Sequence, residues 1–508
     1  MCISCREGMI KLKIRNMRIV GRDLMSSTAR KKVILGLWSL MWCVVFLLTC
    51  LRTGAVMFHH VALDYNEGWN ALLAGWGIGV GGHQLYSSET GFIFNNYPPL
   101  SFFIFGWVIK LGGDAIIVGR IISCLSIILS SILIQRLINI MTRSALSGWA
   151  GSLIFLATMN TAFYNYFGMN DPQWLAQCLM LVGVYILFSS GRVSFVWWRL
   201  LLSVLFIVLG GFTKHNLVAL PLALCVWMFF LDKEKAFLWA SMLVICLGIG
   251  FSICYQAYGM FFFHDVFLHK RTVRLGHIVH GMKALLLMVG IVVSGIGVAI
   301  YYRKKIKIHD NIVFALLFLM FALFFGLMGS MGAGVDYNSM FDVLVAGTLL
   351  CGIGLATLLN DARCGSVMSY MCATMSLSLV FLVPIRGMSF YHDIVSIHDK
   401  EASWAENIRL MQAHKDDTLC TDMALCYWAH ATYPVDMFNL AEALKVGGGL
   451  YPVQAFIMNH KVAFVQLYGA PDAYRTKSTY FDGWLQKAGY RPVFTGQGHM
   501  LLLSYKPL

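Results

Sequence analysis

Apolar runs of roughly 15 to 23 residues, broken by short polar stretches, constrain this chain more than any other feature. They lie near 33–52, 115–137, 147–165, 172–190, 196–212, 217–231, 237–257, 283–302, 311–329, 342–359 and 366–385. Each is long enough to cross or nearly cross a bilayer as a helix, and in lipid no water is present to satisfy an open backbone. With 58% hydrophobic and 13% charged residues over 508 positions, the chain carries more apolar surface than a soluble core could absorb. The expected fold is therefore an all-α polytopic membrane protein with about eleven transmembrane helices. The formal charge of +14 does not point to nucleic acid, because the basic residues cluster between the apolar runs, as membrane orientation requires.

Charge also orients the chain. Lys11, Lys13, Arg15, Arg18, Arg22, Arg30, Lys31 and Lys32 precede the first run, which places a basic segment 1–32 in the cytoplasm. No cleavable signal pattern is present, so 33–52 is expected to stay as the first helix. The run from Pro98 to Leu111 is short and opens on two prolines. If it lies along the outer surface instead of crossing, Arg136, Arg143, Arg192, Lys233, Lys235, Arg303 and Arg363 all become cytoplasmic. The division that follows is a membrane domain 33–385, with an outer loop 53–114 carrying interfacial helices, and an extracytoplasmic domain 386–508. The latter mixes strand-like VAFVQLY and HMLLLSY with helical EASWAENIRLMQAH, which reads as a small α/β unit.

Four constellations then fall on the outer face. LDYNEGWNALLAG presents Asp64 and Glu67; on a helix they would share a face and could serve an acceptor hydroxyl or a cation, while the plainer reading makes Asp64 a helix cap. GMNDPQW places Asp171 before Pro172, again either a cap or a functional carboxylate. GGFTKHN puts Lys214 and His215 in an outer turn, against the positive-inside rule, and FFFHDVFLHKRTVRLGH gathers His264, His269, Lys270, Arg271 and Arg274. Arginine forks match phosphate oxygens, so a lipid phosphate is a natural partner; a solvated basic loop is the alternative. GAGVDYNSMFD offers Asp336 and Asn338 as secondary candidates, with a helix cap as the expected role.

In order and spacing these motifs resemble those of the GT-C fold, specifically the protein O-mannosyltransferases and lipid A aminoarabinose transferases. The resemblance covers roughly residues 33–280: an acidic motif after the first helix, Pro98-Pro99-Leu100, Asp171, the Lys214 motif before LVALPLAL, and the cluster from His269 to Arg274. It implies transfer of a sugar from a polyprenyl-phosphate carrier to a glycan, lipid or protein acceptor at the outer face of a bacterial plasma membrane. The chain departs from the family at Asn66-Glu67, where the family carries Asp-Glu, and at Asn96-Tyr97 before the two prolines. Either Asp64 or Glu67 is then the base; Asp171, Glu89 and His83 would orient the acceptor or hold a divalent metal ion; and Lys214, His269, Arg271 and Arg274 would bind the donor phosphate.

Two other classes compete with this expectation. A transporter or flippase for a lipid-linked or anionic substrate would place ionisable residues at mid-membrane, whereas the middles of these runs are nearly charge-free. A non-catalytic partner could keep the fold without the reaction. Cys2 and Cys5 form a lone CxxC without a second pair, which makes a poor zinc site. Cys420 and Cys426 can form a disulfide if their region is outside the cytoplasm, or remain free thiols.

Overall fold

A computed structural model of the chain describes residues 43–80 except 49 and 52, 84–86, 92–189, 195–268, 271–294, 310–360, 394–446, 452–468, 480–495, 500–506 and the positions 36, 40, 297 and 391. Of the first apolar run, the described part is helical and continues to Met57. Asp64 then turns the chain into α1, Tyr65–Gly77, which stops before Gly79, a residue in the left-handed region at φ 79°. Helix α2, Leu100–Lys110, has 11 residues. At 1.5 Å per residue that is about 16 Å, half of what a crossing needs, so α2 does not span.

The helices that follow form the bundle: α3 (Ala115–Thr142), α4 (Ala145–Thr161), α5 (Gln173–Phe188), α6 (Trp197–Thr213), α7 (Ala219–Leu231), α8 (Lys233–Tyr258), the short α9 (Met260–Phe267), α10 (Ile278–Leu287), α11 (Asp310–Ser330) and α12 (Phe341–Asn360). Among the described residues four apolar helices reach membrane-spanning length, namely α3, α8, α11 and the stretch Tyr337–Ala356 that contains most of α12. With the shorter apolar helices packed among them, the chain is an integral multi-pass membrane protein. The expected span at 366–385 and the basic segment 1–32 lie outside the described residues.

Small residues set the closest packing. Helices α5 and α6 meet through Gly183, where a Cβ would stand 2.8 Å from the Ser203 carbonyl oxygen, and through Gly210, where it would stand 3.0 Å from that of Ala176. Lipid gives apolar helices no hydrophobic reason to associate, so contact between backbones of this kind carries much of the adhesion. Around this seam a continuous core runs through Ile154, Phe188, Trp227, Phe314 and Leu344. By contrast α8 exposes Val244, Ile245, Ile249 and Ile253, the side chains of a lipid-facing helix.

The C-terminal region is the small α/β unit that alternation predicts. A mixed five-stranded sheet has the order β2-β1-β3-β5-β4, with β1 Thr418–Cys420, β2 Tyr433–Pro434, β3 Phe464–Tyr468, β4 Arg491–Thr495 and β5 Met500–Ser504. Strand β1 runs parallel to β2 and β3, and β5 antiparallel to β3 and β4. Helices α13 (Met423–Trp428), α14 (Met437–Lys445), α15 (Pro452–Met458) and α16 (Tyr480–Lys487) lie between the strands in sequence. Cys420 and Cys426 form a disulfide across the β1–α13 turn, which resolves the pairing that their spacing left open.

This unit is seated on the membrane domain, not tethered beside it. Helix α13 crosses α1 so closely that a Cβ on Gly68 would fall 2.0 Å from the Ala424 nitrogen. The Trp428 indole donates to Asp114 at 2.8 Å, and the Ala115 N–H donates to the Tyr427 hydroxyl at 2.9 Å. The start of α3 is thereby tied to α13.

Candidate active site

Asp64 and Glu67 do not share a helix face, because Asp64 is not in the helix. It stands just before α1 in extended conformation (φ −156°, ψ 156°) and accepts the Asn66 N–H at 2.9 Å. The capping alternative thus describes its backbone. A cap uses one carboxylate oxygen; among the described residues the other, Oδ2, accepts no hydrogen bond, and the side chain is exposed. Burial of its surroundings pushes the Asp64 carboxyl above the usual aspartate range, and Asp171, Glu67 and Asp336 lie near enough to raise it further, against the Asn66 bond.

Glu67 faces the opposite way. Its carboxylate meets the Arg120 guanidinium fork to fork, Oε1 to Nε at 2.7 Å and Oε2 to Nη2 at 2.6 Å, with both side chains fully buried. It also accepts the Leu63 N–H at 2.8 Å and the Asn170 N–H at 3.1 Å. Arg120 gives its remaining donors to the carbonyl oxygens of Val56, Met57, His59 and Val61. The pair binds the end of the first helix, α1, α3 and the Asp171 loop into one knot. Sequence reasoning passed over Arg120, although a lone arginine inside an apolar run is a signal that it has a buried partner.

Asp171 is bonded on two sides within the protein. One oxygen accepts the Gln173 N–H at 2.7 Å at the start of α5, and the carboxylate takes the Lys214 ammonium at 3.0 and 3.3 Å. Lys214 is 2% exposed, so it does not snorkel; it also lies 4.6 Å above the Tyr97 ring. Tyr97 is the residue that stands where the resemblance led us to expect charge. Its aromatic face supplies electron density to the lysine instead.

Asp336 is not the helix cap expected of it. It precedes the turn Tyr337–Met340 without a side-chain capping bond, and accepts the Tyr166 hydroxyl at 2.9 Å. Asn338 lies inside that turn. Asp64, Asp171 and Asp336 all act electrostatically on Tyr166, so three carboxylates from three separate loops gather around one tyrosine.

The cationic side is less regular. His215, in the turn between α6 and α7, is pushed down to about 4, first by burial and then by the Lys214 and Arg271 charges, so it is a neutral imidazole at pH 7. Its Nδ1 and the Arg271 Nε are buried without a hydrogen-bond partner among the described residues. Arg271 reaches Ala333 and Asn439 with its other nitrogens at 3.4 and 3.5 Å. Arg274 is exposed and is held by its backbone, which donates to Met331. His83, Glu89 and His269 lie outside the described residues. Among the described residues no three His, Cys, Asp or Glu side chains are grouped as a metal ion would require.

No family model and no curated protein matches the sequence. Solved structures do match in fold. ArnT from Cupriavidus metallidurans in the apo state superposes with a TM-score of 0.57 at 12% identity, covering 93% of this chain and 98% of that one. The same protein bound to undecaprenyl phosphate gives a TM-score of 0.60 at the same identity and coverage. The chain has the ArnT-like GT-C fold.

Proposed function

We propose that this protein transfers a sugar from a polyprenyl-phosphate carrier to a hydroxyl of an envelope glycan, lipid or protein at the outer face of the membrane. The observation that carries the reading is a set of unsatisfied groups joined through the Asp171–Lys214 pair: an exposed Asp64 carboxylate with a free oxygen, and buried nitrogens on His215 and Arg271 that lack partners among the described residues. Support also comes from the fold, which is shared with a protein that binds undecaprenyl phosphate.

Asp64 is the base in this scheme. Its raised pKa makes it a stronger proton acceptor once ionised, and its free Oδ2 can take the proton of the acceptor hydroxyl as that oxygen attacks the anomeric carbon. The bond to the carrier phosphate breaks on the other side, and the charge that develops on the departing phosphate is met by Arg271 and the His215 N–H. Phosphate is a good leaving group, so no strong acid is needed. Lys214 holds Asp171 in place, and Glu67 fixes the loop on which Asp64 stands. A divalent metal ion held by Asp171 together with Glu89 and His83, which lie outside the described residues, would add positive charge beside the departing phosphate.

The orientation implied is N-terminus in and C-terminal domain out. The Cys420–Cys426 disulfide fits that orientation, since such bonds persist in oxidising compartments. Mass-spectrometric comparison of envelope glycans from cells with and without the gene tests the reading: loss of one sugar from one glycan supports it. Unchanged glycans, or a C-terminal tag reached only from the cytoplasm, would count against it.

A further inference from the structure

Helix α14 of the C-terminal domain joins the segment that carries Asp64 to the segment that carries Arg271. On one side, the Tyr65 hydroxyl, next in sequence to Asp64, donates to Asp436 Oδ1 at 2.9 Å. Asp436 is fully buried, and its Oδ2 accepts the Asn439 side-chain N–H at 2.6 Å. The Asn439 backbone N–H donates to Oδ1 at 3.0 Å. An asparagine amide has its donor and acceptor at opposite corners, so the negative Oδ2 turns the Asn439 carbonyl oxygen outward. That oxygen is the one that the Arg271 guanidinium reaches at 3.5 Å.

The same helix holds the Arg271 segment in other ways. The guanidinium lies 5.8 Å from the Phe438 ring, the Thr272 N–H donates to Glu442 at 3.3 Å, and the Thr272 hydroxyl bonds the same carboxylate. Phe438 in turn packs against Gly334, where φ is 73° and a Cβ would lie 2.2 Å from the ring. Arg271 therefore has its terminal nitrogens directed at protein acceptors, while Nε is left without a partner.

We propose that Asp436 and Asn439 are positioning residues for the donor phosphate: the relay Tyr65, Asp436, Asn439, Arg271 orients the guanidinium so that its free Nε–H faces the phosphate. This rests on the reading of Arg271 as a phosphate ligand. The C-terminal domain is then part of the site, which is incomplete without it. The relay depends on the charge of Asp436 and not on its size. Asp436→Asn keeps an oxygen for Tyr65 but sets an amide N–H against the Asn439 N–H, which favours turning the Asn439 amide over and presenting its NH2 to Arg271.

The test uses the full chain in detergent, with undecaprenyl phosphate as probe and a scrambled-headgroup lipid as control. Wild type, Asp436→Asn, Asn439→Leu, Arg271→Gln and the double variant Asp436→Asn/Arg271→Gln are compared for Kd and Tm. The expected result is at least a fivefold weaker Kd for Asp436→Asn and Asn439→Leu, with Asp436→Asn adding nothing in the Arg271→Gln background. Because a fold defect would act equally in both backgrounds, additive effects would overturn the relay. So would wild-type affinity in Asp436→Asn. Absence of binding by the wild type would instead remove the phosphate reading on which the relay stands.

Discussion

The guanidinium of Arg120 and the carboxylate of Glu67 meet with no exposure of either side chain, at 2.7 and 2.6 Å. Of the two acidic residues in the DYNE stretch, one is thereby fixed inside the protein and the other is left exposed with one oxygen free. Their variants should consequently fail in different ways.

Breaking a buried ion pair from one side leaves the other charge unsolvated, at a cost of about 3–5 kcal/mol. Glu67→Gln and Arg120→Met are expected to lose stability on that scale, with the folded fraction still turning over. Thermal unfolding in detergent, with activity normalised to folded protein, checks this. A Glu67→Gln protein of wild-type stability and no activity would make Glu67 the base after all.

Asp64→Asn should abolish transfer, by about 10²–10⁴-fold in kcat, while the protein still folds and inserts. Its stability is expected to move the other way. A carboxyl whose folded pKa is raised favours the folded state only while protonated, below its unfolded value, and that contribution is lost as pH rises through the folded pKa. At neutral pH the ionised Asp64 is a burden on the fold, so Asp64→Asn should unfold at an equal or slightly higher temperature than wild type.

The same shift sets the pH dependence of the reaction. Asp64 must be ionised to act as base, so the acid limb of kcat/KM should fall off at a higher pH than an ordinary aspartate would give. A limb at or below the usual aspartate range would remove Asp64 from that role.

Asp171 and Lys214 form the second buried pair, 2% and 3% exposed in their side chains. Asp171→Asn or Lys214→Met alone should cost about 3–5 kcal/mol, and the double variant should recover much of it, since no charge is then left alone. Activity should stay low in all three, because the charged pair between Asp64 and His215 is then broken. A double variant that regains turnover along with stability would show the pair to be structural only.

Gly68 reports on domain seating. A Cβ there would meet the Ala424 nitrogen at 2.0 Å and the Met423 carbonyl carbon at 2.1 Å, both backbone atoms that cannot rotate aside. Gly68→Ala should lower Tm and speed proteolysis of the C-terminal domain. Gly54→Ala is the control, because nothing lies within 4 Å of a Cβ at that position. Equal protection in the two variants would mean that the docking is not rigid.

Much of this architecture was legible before any coordinates. Apolar run length marked the multi-pass bundle, the short run from Pro98 to Leu111 marked a non-spanning helix, and alternation marked the α/β unit. These are sums of local properties: a run of residues is apolar, or a strand alternates, whatever stands elsewhere in the chain. The bilayer's demand for satisfied backbones then leaves helix as the one outcome for such runs.

What needed tertiary structure was the choice of partners. Asp64 and Glu67 are three positions apart and of the same chemical kind, yet Glu67 turned to an arginine 53 residues away and Asp64 did not. Tyr65 found Asp436 across 371 residues, and Lys214 found Asp171 across 43. An ion pair or a hydrogen bond has a strength set by distance and burial, and neither is a property of sequence neighbours. The sequence by itself determined that Asp64, Glu67, Asp171, Lys214 and the Arg271 cluster would stand in the stretches between the apolar runs. Only the packing of α1 against α3 and of α14 against the Arg271 segment decided which of them are held inside the protein and which keep a free oxygen or nitrogen for a ligand.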